Sequence, residues 1–269
     1  MNTNKTDVNK TIRTDITGSG EKYTLFALIK FGQEQHLRDL VNRGSLYFSS
    51  KQSLRGSKKE NSDDFRYDSL EGATLYESHR FGVTMNMKNP NTGEDMSIPA
   101  RRLVFTANPE IVYGNIVSFY GITDQSFVNN KMIPIDPKMK EFGSHFILIY
   151  DFQHFMRRIN AKLDRVKLNH KLGKVEYFDE ENHVGELHPY HKRSSLSYQN
   201  EYRIHIDRES TSPYILKIGN LREFAVVCHS DTLQYLDINL NLDNNSLNIK
   251  YLRPVRGQRT AANRVDGLA

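Results

Sequence analysis

The chain contains one cysteine, Cys228, and no tryptophan among its 269 residues. A single cysteine allows neither an internal disulfide nor a cysteine metal cluster. The longest apolar runs have the length of Phe146–Tyr150, far short of the ~20 residues of a membrane helix. The first twenty residues also lack the apolar segment of a signal peptide. These absences exclude disulfide-rich secreted proteins and helical membrane proteins, and they predict a cytoplasmic protein without a membrane partner.

The common catalytic signatures are absent as well. The sequence has no GxxxxGK[ST] phosphate loop and no GxGxxG after a strand, so a nucleotide would have to be held in another way. HExxH and GxSxG are missing too, which removes the commonest zinc-protease and serine-hydrolase interpretations. His183, His188 and His191 are spaced H-x4-H-x2-H, which fits no helix face and includes no obvious carboxylate ligand. We therefore expect no metal.

Basic residues are in moderate excess and unevenly distributed. Lys and Arg number 37 against 32 Asp and Glu, for a net charge of +5 and a pI of about 9.1. Seven cations and one acid lie between residues 157 and 174, and smaller basic clusters lie at 51–59 and 250–264. Such clusters predict a phosphate-bearing ligand or a nucleic acid as partner. The predicted nucleic-acid contacts are Arg158, Lys162 and Arg165.

The hydrophobic pattern predicts an α+β fold, with a mixed or antiparallel β-sheet core and a few flanking helices. Predicted strands outnumber predicted helices and do not alternate regularly with them, which is typical of α+β rather than doubly wound proteins. Residues 1–21 are polar and are predicted to be a flexible leader. Residues 22–256 are predicted to form a single catalytic domain, and 257–269 a flexible basic tail.

The best-defined predicted unit is a strand, a short helix and a second strand. Tyr23–Phe31 is apolar enough for a buried strand. Gln33–Arg43 has leucines at helical spacing, and Gly44 stands where a left-handed cap belongs. Ser45–Ser50 then resumes as a strand. A longer helix is predicted after Asp151, an N-cap residue, with Phe152, Phe155, Met156, Ile159, Leu163 and Val166 on its buried stripe. Further strands are predicted at 80–87, 101–106, 115–122, 145–150, 175–178, 201–207, 214–218, 224–229 and 247–252, with a loop at 51–71.

The segment His191–Asp207 carries the pattern most indicative of chemistry. Gln199 and Glu201 stand two residues apart at the entry to a predicted strand, so both side chains should project to one face. A catalytic pair and a solvated strand edge both fit this spacing, and the two interpretations stay open.

The acidic loop offers a different interpretation. Its carboxylates could bind magnesium for phosphodiester cleavage in a metal-dependent nuclease, although cations are interleaved with them. In a third interpretation the chain binds nucleic acid without catalysis, through its basic and aromatic residues alone. The carboxylates concerned are Glu60, Asp63, Asp64, Asp68 and Glu71.

Gln199-Asn200-Glu201 resembles the (Gln/Glu)-x-Glu motif of the ADP-ribosyltransferase superfamily. In that superfamily a strand with an NAD-contacting Arg or His, a helix, and a strand with a Ser-Thr-Ser or Tyr motif precede the glutamate strand. Leu25–Phe31, the helix before Gly44, and Leu46–Ser50 occur here in that order. Lys30 replaces the first-strand Arg or His, and Ser49-Ser50-Lys51 replaces Ser-Thr-Ser.

The chain is also similar to a broad group of bacterial proteins that share three short motifs. Their pattern is Y-F-S-S, then D-x-x-E-G, then Q-x-E-x-R. It is matched at Tyr47–Ser50, Asp68–Gly72 and Gln199–Arg203.

The superfamily resemblance implies an NAD-dependent ADP-ribosyltransferase, acting as a toxin or antiphage defence effector. Such an enzyme breaks the nicotinamide–ribose bond of NAD, its co-substrate, and transfers ADP-ribose to an acceptor, here RNA or DNA. Glu201 would stabilise the positive charge that develops on the ribose, and Gln199 would orient the acceptor. An antitoxin or inhibitor protein is a further implied partner. The implied cofactor contacts are Lys30 to the diphosphate, Ser49 to the ribose, and Tyr47 or Tyr198 to an aromatic ring.

Overall fold

The computed structural model describes residues 23–54, 68–108, 111–241 and 246–250. The predicted leader and tail, together with Glu60, Asp63 and Asp64, lie outside these ranges. The described α-helices are α1 (Glu34–Arg43), α2 (Lys51–Leu54) and α3 (Phe152–Arg165). Turns of 3-10 helix occur at Asp124–Ser126, Pro137–Phe142, Ser194–Gln199 and Ser230–Tyr235. The described strands are β1 (Leu25–Gly32), β2 (Ser45–Ser50), β3 (Ala73–Lys88), β4 (Asp95–Thr106), β5 (Asn115–Thr123), β6 (Phe127–Val128), β7 (Lys131–Met132), β8 (His145–Ile149), β9 (His170–Lys174), β10 (Glu176–Phe178), β11 (Val184–Glu186), β12 (His191–Arg193), β13 (Glu201–Ile206), β14 (Tyr214–Lys217), β15 (Ala225–His229), β16 (Asp237–Asn241) and β17 (Ser246–Lys250).

The strands of the described residues form one large sheet and three small ones. The large sheet runs β14-β2-β5-β1-β8-β15, and β13 joins β5 to β9. Its pairs are antiparallel, whereas β10 and β12 pair in parallel in a separate two-stranded sheet. The remaining small sheets are β11-β3-β4 and β17-β16-β7-β6. This strand-rich, mostly antiparallel architecture confirms the α+β prediction. Among the described helices, none has the length and apolar character to cross a membrane.

The large sheet is split at β5. One end of β5 pairs with β1, where Tyr120 faces Ile29, and the other end pairs with β2, where Ile116 faces Ser49. Both partners lie on the same edge of β5, because β13 occupies the other edge along residues 115–120, which include a residue of each pairing. Between these two pairings, Val117–Phe119 is paired with β13 alone. The gap between β1 and β2 opens over this stretch.

Apolar residues pack on both faces of the large sheet. Alternate residues of β1 divide between the faces, as strand geometry requires: Leu28 joins the cluster that includes α1 and α3, and Ile29 the cluster that includes β16. The stripe of α3 is buried as predicted except for Val166, which lies beyond the helix end and is 51% exposed. The correction has a simple cause, since a residue past the last helical turn does not follow the helical spacing.

The two predicted helix boundaries follow from local chemistry. Gly44 ends α1 with a φ of +65° and donates its amide hydrogen to the Leu40 carbonyl. Asp151 begins α3, and its carboxylate accepts the amide hydrogen of His154 at 2.8 Å. Both hydrogen bonds satisfy backbone groups that a helix end would otherwise leave without a partner. The predicted loop at 51–71 differs in its first residues, which form α2.

Candidate functional site

A cavity of about 900 Å³ opens at the split in the large sheet. Strands β1, β2, β5 and β13, helix α1 and the segment before β3 contribute its walls. Its volume lies in the range of about 300–1,000 Å³ that is typical of small-molecule sites. The polar and charged side chains that line it include Lys30, Ser49, Asp68, Glu71, Ser118, Lys192, Gln199, Glu201 and Arg203.

Most of the residues predicted to bind NAD or act on it lie around this cavity. Lys30 comes from β1, Tyr47 and Ser49 from β2, and Gln199 and Glu201 from the segment that enters β13. Tyr47 is 50% exposed, so its ring lies at the rim rather than in the core. Segments that are far apart in the chain therefore meet at one concave surface.

The side chains of Gln199 and Glu201 lie close together, but not because they alternate along one strand as predicted. Gln199 ends a 3-10 helix, and β13 begins only at Glu201. Asn200 between them has a left-handed φ of +37°, which breaks the strand alternation, so the predicted alternation was wrong. Lys192 nevertheless brings the two side chains together, because its Nζ donates to Gln199 Oε1 and to Glu201 Oε2, each at 2.6 Å.

Glu201 is a buried carboxylate, only 4% exposed, with donors on both oxygens. Its Oε1 accepts from Ser118 Oγ at 2.5 Å and from Arg203 Nε at 2.6 Å. Its Oε2 accepts from Lys192 Nζ. Burial alone would raise the pKa of Glu201, but the charges of Arg203 and Lys192 hold that pKa well below its usual range. The carboxylate therefore stays ionised at neutral pH.

Arg203 links Glu201 to a second buried carboxylate. Its Nη1 lies 3.1 Å from Glu71 Oε2, and its Nε donates to Glu201. Burial raises the pKa of Glu71, and the charge of Arg203 opposes this. This ion pair connects the second and third motifs of the bacterial pattern. Arg203 and Lys192 were not among the predicted site residues. The i+2 spacing of Arg203 from Glu201 was the available signal, because it places both side chains on one face of β13.

Lys30 occupies the gap between β1 and β2. Its Nζ donates to the Ser118 carbonyl at 3.2 Å and lies 5.4 Å from the centre of the Phe119 ring. That carbonyl belongs to the stretch of β5 without a partner strand on this edge. Burial lowers the pKa of Lys30 to about 8, although the charge of Glu201 opposes the shift. The side chain is thus a cation that loses its proton just above neutral pH.

No family model, curated protein or solved structure matches the chain.

Tyr198, one of the two aromatic residues proposed for ring stacking, lies outside the cavity lining. Its ring packs against the apolar cluster on the β16 side of the sheet, and Lys138 Nζ lies 5.3 Å from its centre. Its hydroxyl accepts from Gln199 Nε2 at 3.4 Å. Of the two candidates, Tyr47 is the one at the cavity.

The predicted nucleic-acid contacts lie on α3, away from the cavity lining. Arg158 is already engaged: its Nε donates to His154 Nε2 at 3.0 Å, and its guanidinium lies 4.9 Å from the Phe224 ring. Lys162 and Arg165 are exposed on the same helix. Nucleic-acid binding by this helix stays a prediction, and Lys162 and Arg165 are its accessible members.

The acidic loop is only partly described. Asp68 and Glu71 reach the cavity, and an arginine lies beside each of them: Arg193 Nε is 3.7 Å from Asp68 Oδ1, and Arg203 pairs with Glu71. Within the described ranges no group of three or more His, Cys, Asp or Glu side chains is placed to hold a metal ion. His188 and His191 instead stack, with ring centres 3.6 Å apart.

Proposed function

We propose that the protein is an NAD-dependent ADP-ribosyltransferase that breaks the nicotinamide–ribose bond in this cavity and transfers ADP-ribose to an acceptor. The observation that carries the proposal is convergence. Lys30, Ser49 and Glu201 belong to three different strands, the resemblance assigns all three to one NAD site, and they line one cavity.

The chemistry of the lining suits a ligand with anionic and aromatic parts. Lys30 offers a cation for a diphosphate. A bound diphosphate would raise the pKa of Lys30, which burial lowers, and would so favour the charged form of the side chain. Tyr47 offers a half-exposed ring at the rim, where a nucleobase or nicotinamide ring can stack. Leu37, Leu40 and Leu46 supply apolar surface.

Glu201 is suited to stabilise positive charge on a ribose. Bound NAD supplies an activated glycosidic bond, and positive charge builds on the ribose as that bond breaks. An ionised carboxylate held by a rigid strand stabilises such charge without reorganising. Arg203, Lys192 and Ser118 hold Glu201 in position.

The acceptor that we propose is RNA or DNA, in a toxin or antiphage defence effector held in check by an antitoxin or inhibitor protein. The net charge of +5 favours a polyanionic acceptor. Gln199, beside Glu201, is the residue proposed to orient the acceptor. The exposed Lys162 and Arg165 are proposed to attract it.

Glu201→Gln should reduce nicotinamide release from NAD by about 10²–10³-fold, the usual effect of removing one electrostatic stabiliser of a transition state. Release is measured with the purified protein, with and without RNA or DNA. Glu186→Gln is the matched control, because Glu186 is exposed on β11 outside the cavity lining, and its activity should stay at the unsubstituted level.

Glu201→Gln removes the carboxylate that Arg203 and Lys192 share, so that Arg203 keeps only Glu71 as an ionic partner and Lys192 keeps the neutral Gln199 amide. Breaking a buried ion pair destabilises a protein by about 3–5 kcal/mol. The urea midpoint of Glu201→Gln is therefore measured in parallel. Ser49→Ala provides a second test, since Ser49 lies at the cavity and its loss should lower turnover without disturbing this network. Near-normal turnover in a folded Glu201→Gln variant would contradict the proposal. Nucleic-acid cleavage that a chelator abolishes, without nicotinamide release, would support the metal-dependent nuclease instead.

A further inference from the structure

The hairpin of β3 and β4 forms a long arm. Strand β11 pairs with β3 only along Leu75–Glu77. Beyond Ser78, β3 and β4 pair with each other and with none of the other described strands. A two-stranded ribbon of this kind presents both faces and both edges to its surroundings, and most residues of this distal part are exposed.

A large bulge interrupts the arm where it leaves β11. Four residues of β3, His79–Gly82, face the single β4 residue Arg101. Gly82 has a φ of +89°, which L side chains rarely adopt, and a Cβ there would lie 3.1 Å from the Ala100 carbonyl. Bulges re-aim side chains and are over-represented next to functional sites. Here the bulge presents Phe81.

Phe81 is 97% exposed, so its ring packs against almost nothing. A single exposed apolar residue is common, but three arginines lie at or opposite the bulge that carries this one. Arg80 precedes it in the bulge, Arg101 lies opposite the bulge on β4, and Arg102 follows Arg101; all three arginines are exposed. No described carboxylate forms an ion pair with these arginines. In this pair of strands the nearest acid is Glu77, on the β11 side of the bulge.

We propose that this arginine–phenylalanine patch, formed by Arg80, Phe81, Arg101 and Arg102, binds single-stranded nucleic acid. An exposed aromatic ring can stack on a base, and guanidinium groups bind phosphates with two parallel hydrogen bonds. Phe81 would stack on a base, and the arginines in the bulge and on β4 opposite it would bind neighbouring backbone phosphates. This site lies outside the NAD cavity and does not depend on the proposed function.

The geometry favours a single strand over a duplex or a membrane. A base in a duplex is already stacked on its neighbours, so a projecting ring cannot cover it without unstacking the helix. A membrane surface would favour several apolar side chains together, whereas the patch has one ring among three arginines. The net charge of +5 favours binding of any polyanion. The preference for a single strand comes from Phe81, which can stack only on an unpaired base.

The patch is tested by titrating a fluorescently labelled, mixed-sequence single-stranded oligonucleotide with the full chain and without NAD. Phe81→Ala should weaken binding by about 5- to 150-fold, the effect of removing one stacked base. Tyr235→Ala is the matched control, since Tyr235 is an aromatic residue that is 61% exposed elsewhere on the surface, and its affinity should be unchanged.

The cations are tested by salt dependence. The double variant Arg101→Gln/Arg102→Gln should flatten the log–log slope by about 0.7 for each phosphate that the variant no longer binds. The control Lys131→Gln/Lys138→Gln removes the same charge from other exposed positions and should leave the slope unchanged.

Equal affinity of Phe81→Ala and the unsubstituted protein would overturn the proposal. So would binding to phosphatidylserine vesicles but not to the oligonucleotide, or a salt slope that responds only to Lys162→Gln/Arg165→Gln. Because the assay contains no NAD, its outcome is separate from that of the NAD turnover test.

Discussion

Buried charges define the candidate site at the level of single residues. Two carboxylates, Glu201 and Glu71, alternate with two cations, Arg203 and Lys192. A buried ion pair can be retained for structure alone, and its desolvation often offsets its attraction. All four side chains of this network line a cavity large enough for a ligand, and this position is the reason for testing them as a binding site.

Lys30 gives the site a pH dependence. Its pKa is lowered by burial to about 8, so the side chain is charged below pH 8 and neutral above it. A diphosphate prefers the charged form, so the affinity for NAD should be constant below pH 8 and fall above it, by up to about tenfold per pH unit. Isothermal titration between pH 6.5 and 9.5 measures this directly.

Lys30→Met should bind NAD more weakly at neutral pH and remove the fall above pH 8. Lys217→Met serves as the control, because Lys217 is an exposed lysine of β14 outside the cavity lining. An unchanged fall in Lys30→Met would assign the titration to another group and place the diphosphate elsewhere.

At the level of elements, two glycines with positive φ determine how a helix and a hairpin end. Gly44, between α1 and β2, has a φ of +65°, and a Cβ there would lie 2.0 Å from the Gly219 carbonyl oxygen. Gly93, in the turn of the β3–β4 hairpin, has a φ of +75° with nothing within 4 Å of its would-be Cβ. Gly93→Ala should therefore cost only the left-handed strain of about 1–2 kcal/mol. Gly44→Ala should cost clearly more, because backbone must also move. Urea unfolding of both variants measures the difference, and equal losses would show that the close approach to Gly219 is relaxed at no cost.

The sequence predicts those elements whose pattern is local. The β1-α1-β2 unit follows from apolar spacing and Gly44, and the start of α3 follows from Asp151. Strand β9 was not predicted, because its sequence HKLGK is polar and its strand form depends on pairing with β13.

The membership of the candidate site was predictable only in part, since Tyr198 lies outside the cavity lining and Lys192 and Arg203 were not predicted. Its geometry was not predictable. The left-handed turn at Asn200 is fixed by a bond from its Nδ2 to the Gly121 carbonyl at 2.8 Å, and a hydrogen bond between distant strands leaves no trace in local sequence. The ion pair of Glu71 with Arg203 is non-local in the same way.

The split sheet is a property of the whole molecule. Strands β1 and β2 are joined to each other through α1 and to the sheet through opposite ends of β5. A ligand in the gap between β1 and β2 would contact both strands at once. Binding in the cavity should therefore stabilise the whole folded chain rather than one loop.

NAD should raise the melting temperature of the protein, and the rise should depend on Tyr47. A ligand that binds only the folded state at 100 times its Kd stabilises it by about 2.7 kcal/mol. At roughly 2–4 °C per kcal/mol, the expected shift is about 5–11 °C.

Because Tyr47 is half exposed at the rim, Tyr47→Ala should melt like the unsubstituted protein without NAD and show a smaller shift with it. Tyr235→Ala should match the unsubstituted protein in both conditions. A full shift in Tyr47→Ala would place NAD away from this rim. No shift in the unsubstituted protein at millimolar NAD would contradict the transferase proposal, because NAD would then not bind the folded chain.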